Sequence, residues 1–272
     1  MEPVVEDSAE PERGTHHVQS LERGLTVIKA FDAGSPSLTL SDVAKAPGLT
    51  RAAARRFLLT LVDLGYVRTD GKLFSLTARV LELGYAYLSS LTLPEVAQPH
   101  MERLSAEVRE SSSVSVLDGT DIVYVARVAV SRIMTVTINV GTRFPAHATS
   151  MGHVLLAGLD AGAREKYLHS ADLTRFTEHT ITSVRALASE LDGVRARGWS
   201  LVDQELEEGL RSIAAPIHGA SGSVVAAINL STHASRTTEE SVRDDLLPRL
   251  LRTAKDIEAD LAMTTMASPP TV

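Results

Sequence analysis

Cysteine is absent from this 272-residue chain. Disulfides, Cys-ligated zinc, iron–sulfur clusters and thiol nucleophiles are therefore excluded, and the composition suits a reducing interior. Aromatic residues are scarce, at 4% with a single Trp, so a core must be built mainly from aliphatic side chains. Long apolar runs are missing too. Val224–Leu230 is among the longest, far short of the ~18 residues that a membrane span needs. Met1–Gly14 is acidic and lacks the basic start and apolar middle of a secretory leader. These absences lead us to expect a soluble, cytoplasmic protein without a membrane partner.

Signatures of catalysis and of bound cofactors are equally thin. No G-x-G-x-x-G or G-x-x-x-x-G-K phosphate loop occurs, and Gly219-Ala-Ser-Gly-Ser lacks the last glycine of a nucleophile elbow. The nine His residues never form H-E-x-x-H. His147 and His153 are six apart, a poor spacing for one helical face, which favours pocket or core roles over zinc. Asp203, Glu205, Glu207 and Glu208 form an acidic run that reads as a solvated loop. We expect no cofactor, no metal and no catalytic residue. Catalytic triads are not local in sequence, so a small-molecule enzyme stays as the rival reading.

What is present is enough apolar content, 44%, to fill a real core, and a net charge of −7 that is unevenly spread. Residues 1–17 carry −4, residues 18–90 carry +3, and the remainder carries −6. A basic segment joined to an acidic body fits a DNA reader with a separate sensing module.

Periodicity within the basic segment is specific. Leu21, Leu25, Ile28 and Phe31 recur near helical spacing over Val18–Phe31, and Gly34-Ser35-Pro36 stops them. Thr39 or Ser41 can cap a short helix carrying Leu40, Val43 and Ala44, and Pro47-Gly48 supplies a turn. Thr50 caps a third helix, Arg51 to about Leu64, closed by Gly65. Its apolar face is Ala54, Phe57, Leu58, Leu61 and Leu64; its other face carries Arg51, Ala52, Arg55 and Arg56. An alternating stretch from Tyr66 turns at Asp70-Gly71, a hairpin signal. Helix, helix, turn, helix, hairpin is a winged helix-turn-helix. Arg51, Arg55 and Arg56 could then enter a major groove, Ala52 would permit close approach, and Arg68 and Lys72 would meet phosphates. The same pattern also fits a solvated basic face on an ordinary three-helix unit.

Beyond the hairpin, Leu76–Ser90 reads as a linker helix suited to a dimer contact. Then come a helix over Glu95–Val108 and strands at Ser113–Leu117, Ile122–Val128 and Met134–Val140. Helices follow near Gly152–Leu159, Ala163–Leu168 and Val184–Arg197, then strands at Ser212–Pro216 and Val224–Leu230. A final helix, Thr238–Leu261, should break or kink near Pro248. This order describes a mixed α+β module with helices at both ends of an antiparallel sheet. One segment hints at a ligand. Arg143-Phe-Pro-Ala-His-Ala-Thr-Ser-Met-Gly-His puts a helix start at Thr149–Ser150, with N–H groups near Ser150, Met151 and Gly152 able to seat a carboxylate. A plain helix cap explains the same residues.

Several long stretches are similar to the IclR family of bacterial transcriptional regulators over about residues 18–263. They are Val18-Gln-Ser-Leu-Glu-Arg-Gly-Leu, Gly48-Leu-Thr-Arg-Ala-Ala-Ala-Arg-Arg-Phe-Leu-Leu-Thr-Leu, Pro145–Ala157, Glu208-Gly-Leu-Arg-Ser-Ile-Ala-Ala-Pro-Ile and Gly222-Ser-Val-Val-Ala-Ala-Ile-Asn. Arg132–Ala146 and Val202–Ser212 resemble more narrowly the subgroup controlling protocatechuate, 4-hydroxybenzoate and β-ketoadipate catabolism. The resemblance implies a winged helix-turn-helix domain at 18–76, a linker helix at 77–91 and a GAF-like effector-binding domain at 92–263. The residues outside it read as a disordered acidic tail at 1–17 and a disordered tail at 264–272. Implied partners are an inverted-repeat DNA operator, a small carboxylate effector (an aromatic acid or a β-ketoadipate-like diacid), and further copies of the chain as a homodimer or dimer of dimers. The implied DNA set is Thr39, Ser41, Thr50, Arg51, Ala52, Arg55, Arg56, Arg68 and Lys72. For the effector, Ile133, Val136, Phe144 and Leu210 would supply apolar walls, and the helix start at Ser150, Met151 and Gly152 would take a carboxylate. Ser212, Asn229 and Ser231 would supply polar groups, with Asp203 beside them.

Overall fold

A computed structural model describes residues 17–32, 34–45, 49–83, 92–130 and 138–267. The chain divides into two compact units, residues 1–87 and 88–272. In the first, α1 (Gln19–Lys29), β1 (Ser37–Thr39), α2 (Leu40–Val43), α3 (Arg51–Asp63), β2 (Val67–Thr69) and β3 (Leu73–Leu76) follow in order. The expected α3 pattern produces its burial: Ala54, Leu58 and Leu61 are buried against Val27, Phe31, Val43, Val67 and Phe74. Phe57 is half-buried and Leu64 is exposed. Leu64 is exposed because the helix has already ended and the chain turns through Gly65 at φ 79°, and Leu21 and Leu25 of the periodic row in α1 are exposed as well. Gly71, at φ 96°, makes the expected hairpin turn, and the Asp70 carboxylate accepts N–H bonds from Lys72 and Leu73. Those bonds hold the Asp70 carboxyl below its usual range. Sequence periodicity did not reveal β1. It pairs with β3, Leu38 opposite Phe74, and turns the hairpin into a three-stranded sheet ordered β1-β3-β2.

The expected linker helix lies mostly outside the described residues. Within them a single 3-10 turn, Ala78–Val80, runs into helical residues 81–83.

The second unit is built on one antiparallel sheet ordered β6-β5-β4-β9-β8-β7. Its strands are β4 (Ser111–Asp118), β5 (Asp121–Val128), β6 (Arg143–Pro145), β7 (Ser200–Asp203), β8 (Leu210–His218) and β9 (Val224–His233). The helices are α4 (Thr92–Val108), α5 (Ser150–Gly158), α6 (Ala161–Ser170), α7 (Val184–Arg197), α8 (Glu239–Ser241) and α9 (Leu247–Ala267). Alternation along the strands sorts the two faces. Ile213, Ala215, Ile217, Ala226 and Ile228 pack under α4 and α9, with Met101, Leu104, Leu250 and Ile257. Ala214, Ala227, Ile122 and Tyr124 meet Met151, Val154, Leu187 and Leu191 of α5 and α7.

The expected strand Met134–Val140 falls partly outside the described residues, and residues 138–140 within them form no strand. They lead into a turn closed by the Thr142 N–H on the Asn139 carbonyl, with Gly141 at φ 88°. The strands β6 and β7 were not expected. Pro248 does interrupt the last helix: a π-helical turn, Val242–Leu246, lies just before it. Proline lacks an N–H and its ring crowds the carbonyl four residues back, so the turn widens there.

Candidate functional site

The first unit presents a basic face. Thr50 Oγ1 accepts the Ala53 N–H at 3.1 Å and fixes the start of α3. Arg51, Ala52, Arg55 and Arg56 are all exposed, Arg51 at the helix start and Ala52, Arg55 and Arg56 on the flank away from the buried row. Arg68 is exposed on β2, Lys72 in the hairpin turn and Ser41 on α2. Thr39, not Ser41, caps α2: its hydroxyl takes the Asp42 N–H and donates to the Asp42 carboxylate at 2.6 Å. That bond, with Lys45 beside it, lowers the Asp42 carboxyl to about 2. Arg51, Arg55, Arg56, Arg68 and Lys72 enter no ion pair among the described residues, whereas Arg79 meets Glu82 and Lys45 meets Asp42. Exposed, unpaired cations on one helix face and an adjoining hairpin can bind a polyanion.

In the second unit the sheet brings together residues that lie far apart in sequence. Ser212 of β8 pairs with Ser231 of β9, and Asn229 lies two residues along on the same face. The start of α5 meets this row: Ser150 and Ser212 share a hydroxyl hydrogen bond of 2.8 Å, both buried. Ser150, Met151, Leu210, Ser212, Asn229 and Ser231 line one small cavity of about 20 Å³. Tyr124, Ala148, Thr149, Val202 and Leu206 complete the wall; of these, the helix-start pattern in the sequence points to Thr149 alone. A void of that size holds little more than one water-sized probe, so an organic acid must displace side chains to enter.

The N–H inventory at the helix start differs from expectation at Gly152. Its N–H is taken by Thr149 Oγ1 at 3.1 Å. Ser150 and Met151 keep backbone N–H groups without a partner among the described residues, as the first turn of a helix requires unless a cap or ligand intervenes. Gly152 serves another purpose. A Cβ there would sit 2.5 Å from the Ala146 carbonyl carbon and Cα and still closer to its oxygen, so glycine permits the close approach that aims the helix start. Met151 is buried, its sulfur accepting the Ser115 hydroxyl at 3.2 Å.

Other expected site residues are placed elsewhere. Asp203 pairs with Arg211 across β7 and β8, through two bonds of 2.9 Å. Because strand faces alternate, Val202 and Ser212 face the cavity and Asp203 and Arg211 face away. Phe144 is half-buried and edge-on to Tyr124, centroids 5.8 Å apart, behind the cavity wall. Ile133 and Val136 lie outside the described residues. His147 and His153 are both buried, and His153 Nε2–H donates to the His147 carbonyl at 2.6 Å. Burial lowers the His153 pKa, so the ring is a neutral core group. A larger cavity, about 570 Å³, opens between Pro216, His218, Arg195 and Lys255. There the N–H of His218, at the edge of β8, is already bound by Glu258, which closes that strand edge instead of offering it.

Glu205 contradicts its expected place in a solvated loop. It is 8% exposed, and its Oε2 accepts the Ile181 N–H at 3.3 Å. Its own carbonyl accepts the Thr180 hydroxyl. The segment before the cavity residues Leu206 and Leu210 is thereby tied down at 177–181. Burial pushes the Glu205 carboxyl up from 4.5 to about 7. An acid whose folded pKa is raised binds a proton that the unfolded chain releases, so stability falls as pH rises from about 4.5 to 7. We expect Glu205→Gln to flatten that slope and to raise stability at pH 8 by roughly 1–3 kcal/mol. Urea unfolding at pH 5 and pH 8 measures both; equal pH dependence in the two proteins would contradict it.

Residues 20–71 match the model of the IclR helix-turn-helix domain, and residues 85–259 match that of the bacterial transcriptional regulator IclR C-terminal domain. The Pca regulon regulatory protein of Pseudomonas putida is 46% identical over 88% of this chain and 82% of its own length. The p-hydroxybenzoate hydroxylase transcriptional activator of Acinetobacter baylyi is 37% identical over 92% and 94%. An IclR homolog from Microbacterium hydrocarbonoxydans, solved with 4-hydroxybenzoate, superposes with a TM-score of 0.78 at 29% identity, covering 89% of this chain and 98% of that one. The family models cover both units, the one with the basic helix face and the one with the buried helix start, and the chain belongs to the IclR family of bacterial transcriptional regulators.

Proposed function

We propose that the chain binds an inverted-repeat operator through α3 and the β2–β3 hairpin and senses a small organic acid at the start of α5. Through that coupling it controls genes of aromatic-compound catabolism. The observation that carries the reading is the pair of N–H groups of Ser150 and Met151, without a partner among the described residues, at a buried helix start that lines one cavity with Ser212, Asn229 and Ser231. The helix dipole and unpaired donors favour an anion there. Relatives named for the Pca regulon and for p-hydroxybenzoate hydroxylase, and a neighbour holding 4-hydroxybenzoate, support an aromatic acid or a β-ketoadipate-like diacid. A twofold operator calls for a dimer or dimer of dimers, with reading helices about one DNA turn, ~34 Å, apart or a multiple of it. Domain limits of 18–76, 77–91 and 92–263 and a cytoplasmic location belong to the same reading.

The DNA half is tested by binding to operator and unrelated duplexes across a salt series. Arg55→Ala should cost roughly 1–3 kcal/mol on the operator alone, because an exposed α3 arginine contributes to sequence readout. Arg68→Ala or Lys72→Ala should weaken all DNA alike and reduce the salt slope by about one. Unchanged operator affinity for Arg55→Ala would remove α3 from the major groove.

A further inference from the structure

Across β4 from Asn229 stands a cation that no carboxylate neutralises among the described residues. Arg127 of β5 is half-buried, and its Nη1 donates to Ser113 Oγ at 3.0 Å. No carboxylate lies within ion-pair distance of it among the described residues, and its neighbour Tyr124 is a buried phenol whose pKa is pushed up to about 12 and which therefore carries no compensating charge. The undescribed stretches of this unit, 88–91, 131–137 and 268–272, contain no Asp or Glu side chain. Arg143 differs: it meets both Asp118 and Asp121, so its charge is already spent. A guanidinium has five N–H donors, and one bond to a hydroxyl leaves a partly desolvated cation short of an anion.

Sheet register places Arg127 on the cavity side. Ser113, which it touches, pairs with Asn229, and Asn229 pairs with Ala214. Ser212, which holds Ser150, is two residues from Ala214 on the same face. Two strand spacings across and one two-residue step along separate the Cα atoms of Ser113 and Ser212 by about 12 Å. Midway stands Asn229. Its Nδ2 donates to Ser231 Oγ at 3.1 Å, while Oδ1 is buried without a partner. Whichever way that amide is turned, one of its polar atoms is left over.

We propose that Arg127 is a specificity-determining residue that holds a second carboxylate, so that the cavity recognises a dicarboxylate end to end, with one acid at the α5 start and the other at Arg127. This rests on the reading of that cavity as the effector site. Adipate and hexanoate are the probes, because they share a chain length and differ in the far carboxylate. Calorimetry on the full chain should show adipate binding about tenfold to hundredfold tighter than hexanoate. Arg127→Gln should abolish that preference by weakening adipate while leaving hexanoate unchanged, and Arg127→Lys should keep part of it. Thermal melts confirm that each variant is folded. Equal affinities for the two acids, no binding of either, or a preference that survives Arg127→Gln would overturn the proposal. Ser150→Pro separates this from failure of the underlying reading. Loss of hexanoate and of 4-hydroxybenzoate in that variant preserves the α5 site even when Arg127 proves silent, whereas undiminished binding of both removes the site itself.

Discussion

Replacing Gly152 by Ala is expected to destabilise the larger unit by about 3 kcal/mol or more, which for a unit of this size lowers its melting midpoint by roughly 6–12 °C. The cause is local and steric. The added Cβ would lie 2.5 Å from two backbone atoms of Ala146, and backbone cannot step aside as a side-chain tip can. Relief requires α5 to back away from the turn at 146–148, yet α5 is almost wholly buried from Ser150 to Ala157. Close-packed interiors resist such shifts. The same movement would pull Thr149 Oγ1 from the Gly152 N–H that it caps, adding the loss of a helix cap, about 1 kcal/mol. Differential scanning calorimetry reads the result directly. A variant within 1 kcal/mol of the parent would mean that the α5 start is not held against Ala146.

Ser150→Pro is expected to weaken binding of the effector acid by about 10- to 150-fold, the worth of one charge-assisted hydrogen bond, while leaving the fold nearly intact. Ser150 is the first residue of α5, a position where proline is well accommodated. Thr149 before it is extended, φ −131° and ψ 143°, the conformation that a residue preceding proline prefers. What is lost is one backbone donor and the hydroxyl bond to Ser212. Ser150→Ala separates the two, since it removes the hydroxyl and keeps the N–H. It should bind the acid far better than the proline variant. Equal losses in both would assign the effect to the hydroxyl and not to the helix start.

These expectations draw unequally on sequence and structure. Segments with long, regular periods were legible: α3 with its Thr50 cap, α7 ending at Gly198 in the left-handed region, the Asp70-Gly71 turn and the break at Pro248. Three-residue β1 and β6 and four-residue β7 were not, because alternation cannot be recognised over so few positions. Facing was the harder question. Asp203 and Val202 are adjacent in sequence, and only the pairing of β7 with β8 decides which reaches the cavity. Glu205 looked like one more acid in a solvated run until the 177–181 segment covered it. The relation of Arg127 to Ser113 and Asn229 spans three strands and leaves no trace in local spacing. The likeness of whole segments to a known family, in contrast, needed no geometry.

Coupling between the acid and the DNA is the centre of the account, and it requires the acid to have different affinities for two arrangements of the assembled protein. The direct measurement is operator affinity at fixed salt, with and without saturating acid chosen from 4-hydroxybenzoate, protocatechuate and adipate, for the parent and for Ser150→Pro. The account predicts that at least one acid changes operator affinity of the parent by about fivefold or more. It predicts that Ser150→Pro binds operator as the parent does without acid and no longer responds at the same acid concentration. A proline variant that responds as fully as the parent would contradict it.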